Sequence, residues 1–342
     1  MAAEVAPKLT RKDFVADQEV RWCPGCGDYS ILANVQRVMP ELGVPRENIV
    51  FISGIGCSSR FPYYMDTYGF HTIHGRAPAF ATGAKAANPN LSVWVVTGDG
   101  DGLSIGGNHL LHTIRRNLDI QILLFNNQVY GLTKGQYSPT SALGMRSKSS
   151  PQGSIDHPVD PISYALGCGA TFVARTIDVD AKHMQQVLKR AHDHKGTSFI
   201  EILQNCPVFN DGIWEDVEDR KTRAKNTLVL EHGEPLVFGS EGERKGILMQ
   251  DGRPQVIDLA DDDDPKERGV VIHDEKLETP SYASALATLT RPDFPLPVGV
   301  IREVEKTCYE ELLEDQIKEA VDQKGAGDLH ALLHSGDTWT VS

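Results

Sequence analysis

Polar side chains follow two apolar segments of the sequence, each at the point where the apolar run ends. Asp99 lies in the run Gly-Asp-Gly-Asp-Gly at residues 98–102, and Asn127 closes an Asn-Asn pair after the next apolar segment. A charged oxygen and a neutral oxygen at neighbouring strand ends can converge on one hard cation such as Mg²⁺, which prefers oxygen ligands shared with phosphates. The glycines let the backbone approach phosphates closely. The pattern therefore predicts a magnesium and diphosphate site, although an Asp-Gly turn and an Asn-rich turn are each common alone.

Four cysteines form a second candidate site. Cys23 and Cys26 lie in a Cys-x-x-Cys loop, and Cys57 and Cys206 each follow a predicted strand. Four thiolates suit either a structural Zn²⁺ ion or a [4Fe–4S] cluster. Zinc ribbons usually pair two local Cys-x-x-Cys loops, whereas two of these cysteines are far away along the chain. The spacing therefore favours a cluster built into the fold, with zinc as the alternative.

The elements that must position these residues alternate between strands and helices over the first two-thirds of the chain. Apolar periodicity predicts strands at 49–52, 91–96, 120–125, 171–176 and 198–203, and helices at 28–39, 78–87, 107–116 and 180–194. Strands separated by helices indicate an α/β fold with a parallel sheet and helices on both faces. Ligands of such sheets bind at the carboxyl ends of the strands, where both candidate sites lie.

The remaining segments are less regular. Residues 135–161 are rich in Ser, Pro and Gly, which predicts a long functional loop or lid. Beyond residue 210 the chain is rich in turns, carries an acidic run at 261–264 that we interpret as a solvated loop, and has a predicted helix at 303–323. The sequence thus predicts a cofactor-binding domain over 1–210 and a C-terminal extension over 211–342 that faces a partner.

Composition excludes several classes of function. The chain has 342 residues, 40% of them hydrophobic, and a net charge of -13, which argues against nonspecific nucleic-acid binding. The N-terminus has no apolar leader, and the longest clean apolar run, 122–125, is too short to cross a membrane. We therefore expect a cytoplasmic protein, in which disulfides are improbable. Cys168 and Cys308 are interpreted as small buried residues.

An ordered series of motifs carries a family resemblance. Cys-Pro-Gly-Cys-Gly (23–27), Ile-Gly-Cys-Ser (55–58), His-Gly-Arg (74–76) and Val-Tyr-Gly-Leu-Thr-Lys-Gly-Gln (129–136) surround the Gly-Asp-Gly and Asn-Asn pair described above. The series, over about residues 20–210, resembles the β subunits of 2-oxoacid:ferredoxin oxidoreductases, which have a thiamine-diphosphate-binding fold. The C-terminal segments 297–302 and 336–339 are similar to the branch that uses 2-oxoglutarate.

The resemblance implies a role for each matching residue. Asp99, Asn127 and the carbonyl of Val129 would bind Mg²⁺, and Cys23, Cys26, Cys57 and Cys206 would hold a [4Fe–4S] cluster. Lys134 would bind the carboxylate of the oxoacid or part of coenzyme A, and His74 would act at the catalytic centre. The residues expected to contact thiamine diphosphate are Ile55, Gly56, Cys57, Ser58, His74, Gly75, Arg76, Gly98, Asp99, Gly100, Asp101, Gly131 and Leu132.

The resemblance also implies a reaction and partners. Such enzymes decarboxylate a 2-oxoacid oxidatively to an acyl-coenzyme A, and they pass the electrons through the cluster to ferredoxin. The pyrimidine-binding domain that activates thiamine belongs to an α subunit, so we expect a heterodimer or a dimer of heterodimers. Alternatives are another 2-oxoacid such as pyruvate, a thiamine-diphosphate decarboxylase with structural zinc, and a non-catalytic electron-transfer subunit.

Overall fold

The computed structural model describes residues 9–250 and 253–341. Residues 1–8, where the sequence predicts no apolar leader, lie outside the described part. The strands are β1 Ile49–Ser53, β2 Tyr68–His71, β3 Ser92–Gly98, β4 Ile120–Asn126, β5 Phe172–Ile177, β6 Ser198–Leu203, β7 Thr227–Leu230, β8 Val237–Phe238, β9 Lys245–Gln250, β10 Arg253–Asp258 and β11 Leu296–Glu303. The α-helices are α1 Asp28–Val38, α2 Ala77–Ala87, α3 Asp99–Leu103, α4 Gly107–Arg116, α5 Pro161–Gly167, α6 Ala181–Asp193, α7 Glu215–Glu218, α8 Arg223–Asn226, α9 Ser281–Ala287, α10 Tyr309–Lys324 and α11 Leu329–Leu333.

Eight strands form the central sheet, in the order β2-β1-β3-β4-β6-β5-β11-β7. The first six are parallel to one another, whereas β11 runs antiparallel to β5 and parallel to β7. The predicted α/β fold is confirmed. A separate three-stranded antiparallel sheet contains β8, β9 and β10.

The central strands are buried on both faces because their side chains alternate between two apolar layers. Ile52 and Val95 belong to the layer that also contains residues of α2, α4, α5 and α9, whereas Phe51 and Trp94 pack with α1 and α6 on the other face. Each fully buried side chain of this size stabilises the fold by roughly 1.5–3 kcal/mol. Two-sided burial explains why these strands are continuous apolar runs in the sequence.

An N-cap and one apolar face determine where helix α6, which packs on this second face, begins and how it is oriented. The Asp180 side chain accepts a hydrogen bond from the backbone N–H of His183 at 3.2 Å, as expected of an N-cap. Four residues on one face of α6 are buried: Met184, Val187, Leu188 and Ala191. The prediction of a capped amphipathic helix here is confirmed. The predicted loop is also confirmed, since the described chain has no helix or strand between β4 and α5.

The C-terminal segment differs from the expectation in one helix. The helix predicted at 303–323 begins only at Tyr309, because Glu303 still belongs to β11 and pairs with Phe172 of β5. Strands β7 and β11 join the central sheet, so the segment after residue 210 does not pack as an independent unit. The division at residue 210 stays a prediction. Of the helices in the described residues, none combines the length and apolarity needed to cross a membrane.

Candidate active site

A cavity of about 360 Å³ opens at the carboxyl ends of β1, β3 and β4. Most of the residues predicted to bind the cofactor or Mg²⁺ line it: Ile55, Gly56, Cys57, Ser58, His74, Gly98, Asp99, Gly100, Asp101, Asn127, Val129, Gly131 and Leu132. Gly75, Arg76 and Lys134 are not among the lining residues. The cofactor contacts of all these residues stay predictions. The parallel strands bring together residues that are far apart in the chain, as the rule for open α/β sheets requires.

Asp99 begins α3 at the floor of this cavity and is buried. Its Oδ2 accepts hydrogen bonds from the hydroxyls of Ser138 at 2.5 Å and Thr140 at 2.6 Å. Burial raises the pKa of Asp99 to about 6, against the lowering effect of the two hydroxyls. The two bonds fix the orientation of a carboxylate that burial makes costly to ionise, and a bound cation would offset that cost.

Asn127 and Val129 lie on the neighbouring loop and supply neutral oxygens. Asn127 Oδ1 accepts a hydrogen bond from the Val129 N–H at 3.2 Å, while its Nδ2 donates to Gln204 Oε1 at 2.8 Å. Next to them the Tyr130 ring crosses Gly100 so closely that a Cβ there would lie 2.3 Å from it. A carboxylate, an amide oxygen and a backbone carbonyl beside one cavity form a set of oxygen donors that fits Mg²⁺.

Asp101 holds the neighbouring backbone in place. Its Oδ1 accepts a hydrogen bond from the Gly75 N–H at 2.7 Å, and its Oδ2 accepts one from the Thr97 hydroxyl at 3.0 Å. Both carboxylate oxygens are therefore bonded to protein, and they fix the loop that carries His74 beside the cavity. Direct contact of Asp101 with a cofactor stays a prediction.

Cys57 lines the same cavity, and Cys206 lies close to it. A Cβ placed on Gly131 would lie 3.6 Å from the Sγ atoms of both Cys57 and Cys206, so both thiols face this glycine. Burial, with the charges of Asp28, Cys206 and Cys23, raises the pKa of the Cys57 thiol to about 12. Thiols with raised pKa values need a neighbouring cationic centre to ionise, which fits a metal site.

Cys26 lies close enough to Cys57 and Cys206 for their charges to affect its thiol. Burial raises the pKa of the Cys26 thiol, and Asp28, Cys57 and Cys206 contribute. Among the described residues, no three His, Cys, Asp or Glu side chains are close enough to hold one metal ion. A mononuclear zinc site needs its sulfurs within about 4 Å of one another, since Zn–S bonds are about 2.3 Å long. The described residues therefore show no preassembled zinc site, and the [4Fe–4S] cluster stays a prediction.

Several residues of the site escaped prediction from sequence. Ser138 and Thr140 belong to the long loop, and no sequence signal connects them with Asp99. Asp28 directly follows the Cys-Pro-Gly-Cys-Gly motif, and burial raises its pKa to about 7; its position beside that motif could have identified it. Gln204, two residues before Cys206, could have been identified in the same way.

Comparison with known proteins places this geometry in a family. Residues 54–202 match the family described as thiamine pyrophosphate enzyme, C-terminal TPP binding domain. The chain is 52% identical over 338 residues to the 2-oxoglutarate oxidoreductase subunit KorB of Mycobacterium tuberculosis, an alignment that covers 96% of this chain and 88% of the relative. The chain belongs to the β subunits of 2-oxoacid:ferredoxin oxidoreductases.

Two further comparisons agree. The 2-oxoglutarate synthase subunit KorB of Methanocaldococcus jannaschii is 42% identical over 188 residues, which covers 55% of this chain and 70% of that relative. The 2-oxoglutarate:ferredoxin oxidoreductase from Magnetococcus marinus, solved with 2-oxoglutarate, coenzyme A and succinyl-CoA bound, is 32% identical with a TM-score of 0.75, covering 96% of this chain and 97% of that one. The family resemblance seen in the sequence is confirmed, and this β subunit is part of an oxidoreductase.

Proposed function

We propose that this β subunit binds thiamine diphosphate, Mg²⁺ and a [4Fe–4S] cluster in a cytoplasmic 2-oxoglutarate:ferredoxin oxidoreductase. In the overall reaction 2-oxoglutarate and coenzyme A give succinyl-coenzyme A, CO₂ and a proton, and two electrons reduce two ferredoxins. One observation carries the proposal: Cys57 lines the cavity and is also close to Cys23 and Cys206. The choice of 2-oxoglutarate rests on the names of the relatives.

Two neighbouring sites in the chain would bind different cofactors. Asp99, Asn127 and the Val129 carbonyl would hold Mg²⁺ and through it the diphosphate, while the four cysteines would hold the cluster. Bound thiamine diphosphate supplies a carbanion and an electron sink for decarboxylation, and an iron–sulfur cluster accepts the electrons one at a time. Because Cys57 lines the cavity, the two sites are neighbours, which favours direct electron transfer between them.

Thiamine activation requires a component that the cavity lacks. A glutamate must contact the aminopyrimidine ring, but the cavity lining in the described residues contains aspartates and no glutamate. We propose that an α subunit supplies it on a pyrimidine-binding domain, so that the active site is shared in a heterodimer or a dimer of heterodimers.

The proposed reaction is tested with the α and β subunits produced together under anaerobic conditions. We expect ferredoxin reduction that depends on coenzyme A and is faster, in kcat/KM, with 2-oxoglutarate than with pyruvate. A preference for pyruvate would correct the substrate, and reduction without coenzyme A would contradict the acyl-transfer step.

Asp99→Ala tests the magnesium site. This change removes the only charged protein ligand proposed for Mg²⁺, so we expect thiamine diphosphate to bind at least tenfold more weakly, about 1.4 kcal/mol. Calorimetric titration of the assembled enzyme with thiamine diphosphate and Mg²⁺ measures the affinity, and visible absorption checks that the cluster is intact. Asp193→Ala, an exposed aspartate at the end of α6, is the control. Unchanged affinity in Asp99→Ala contradicts the site.

Lys134→Ala tests the predicted substrate anchor. Lys134 is exposed in a turn closed by its own N–H, which donates to the Gly131 carbonyl at 3.0 Å. Its φ is 79°, but alanine also carries a Cβ, so the exchange adds no new backbone strain. We expect a higher KM for the oxoacid or coenzyme A with normal thiamine-diphosphate occupancy. Lys148→Ala on the same loop is the control, and unchanged KM values for both substrates would make Lys134 an ordinary surface lysine.

A further inference from the structure

Gln204 lies between the proposed magnesium site and the cysteine group. It follows β6 directly, and its side chain is 1% exposed. Its Oε1 accepts a hydrogen bond from Asn127 Nδ2 at 2.8 Å, and its Nε2 donates to Cys26 Sγ at 3.3 Å. One buried amide therefore touches a proposed ligand of each cofactor.

Backbone groups fix the orientation of this amide without ambiguity. Gln204 Nε2 also faces the carbonyl oxygen of Asn205, which can only accept, so the atom at that end must be the donor nitrogen. Gln204 Oε1 then faces Asn127, and the Asn127 atom on that side must be the donor Nδ2. The Val129 N–H independently requires the Asn127 oxygen on the opposite side. The two amides are thus locked into one arrangement, in which Asn127 Oδ1 is held on the Val129 side, where both residues line the cavity.

A glycine keeps space free for Gln204. A Cβ on Gly27 would lie 2.8 Å from Gln204 Cγ and 1.9 Å from Asp178 Oδ2. A side chain at position 27 would therefore displace the Asp178 carboxylate, the Gln204 side chain or both. The last glycine of the Cys-Pro-Gly-Cys-Gly motif thus leaves the space that Asp178 and Gln204 occupy.

We propose that Gln204 is a positioning residue shared by both cofactor sites: it orients Asn127 for Mg²⁺ and donates an N–H to the Cys26 thiolate of the cluster. The proposal rests on the function proposed above. Reduction adds negative charge to a cluster, and hydrogen bonds to its sulfurs set the reduction potential. An N–H donor stabilises the more negative, reduced state, so Gln204 raises the potential of the cluster that receives electrons from the neighbouring cavity.

Two variants of the assembled enzyme separate the two roles. Gln204→Glu keeps an acceptor oxygen towards Asn127 but removes the N–H donor to Cys26, whereas Gln204→Met has nearly the same length and removes both. We expect both variants to shift the cluster potential to more negative values in a redox titration followed by EPR. Only Gln204→Met should also weaken thiamine-diphosphate binding, by about threefold to tenfold, the factor expected for one neutral hydrogen bond.

Gln121→Met is the matched control. Gln121 is also a buried glutamine, but it lies near the start of β4, at the end of that strand away from the cavity. It should change neither the potential nor the affinity. An unchanged potential in both Gln204 variants, with iron content intact, would overturn this inference and leave the proposed function standing. Iron-free wild-type enzyme would instead contradict the proposed function itself.

A measurement on the wild-type enzyme decides the matter if the variants lose the cluster. Glutamine labelled with ¹⁵N only in the side-chain amide is incorporated, and electron spin echo spectra of the reduced cluster are recorded. We expect a coupling from one labelled nitrogen, as an N–H···S bond transmits spin density. Spectra without any ¹⁵N coupling would show that the amide does not bond the cluster, and the inference would be wrong.

Discussion

Replacing Cys57 with serine is expected to remove the cluster and abolish ferredoxin reduction. The wild-type chain, purified without oxygen, should be brown and hold about four iron atoms, as four thiolates holding a [4Fe–4S] cluster require. Serine keeps the size of the side chain but is a poor ligand for iron, which prefers soft thiolates. Because Cys57 faces Gly131 together with Cys206, its loss opens the cluster on the cavity side.

Cys23→Ser, Cys26→Ser and Cys206→Ser should have the same effect, since each removes one of four thiolates. Cys168→Ser is the matched control: this half-buried cysteine lies at the end of α5 and should keep its iron. Iron analysis, visible absorption and EPR measure the outcome. Stoichiometric zinc without iron in the wild-type chain would contradict the proposed cluster, as would full iron content in any of the four variants.

The central strands could be predicted because they are buried on both faces and therefore form continuous apolar runs. Every residue of β4 and β6 is buried, and both strands match their predicted positions to within one residue. Strand β2 was missed, since all four of its residues are exposed at the edge of the sheet and leave no pattern of burial. The entry of β7 and β11 into the sheet was also missed, because pairing between strands distant in sequence has no local signal.

The same limit applies to the active site. Asp99, Asn127 and Cys57 could be identified because each follows a strand that ends at one sheet edge, and topology alone brings such residues together. The contacts of Ser138 with Asp99 and of Gln204 with Cys26 depend on how a long loop and a strand end fold back. No sequence signal connects the two residues of either pair, so only the structure reveals these contacts.

The shape of the cavity mouth bears on the need for a partner. Ile105 and Leu132 line the cavity, yet they are 56% and 50% exposed. Exposed apolar side chains grouped at a binding site are typical of a surface that another protein covers. Together with the lack of a glutamate in the described cavity lining, this supports the proposal that the active site is shared with a partner.

The isolated chain is therefore expected to bind the cluster but to show no turnover at saturating thiamine diphosphate, Mg²⁺, coenzyme A and 2-oxoglutarate. Under the proposal, the isolated chain lacks the glutamate that activates thiamine, and the exposed cavity mouth would admit water. Adding a separately produced α subunit should raise the rate of ferredoxin reduction above the background rate. Iron content and visible absorption of the isolated chain serve as the control, because an intact cluster shows that inactivity does not result from misfolding. Robust turnover by the isolated chain would mean that this subunit activates thiamine with its own residues, and the shared active site would then be wrong.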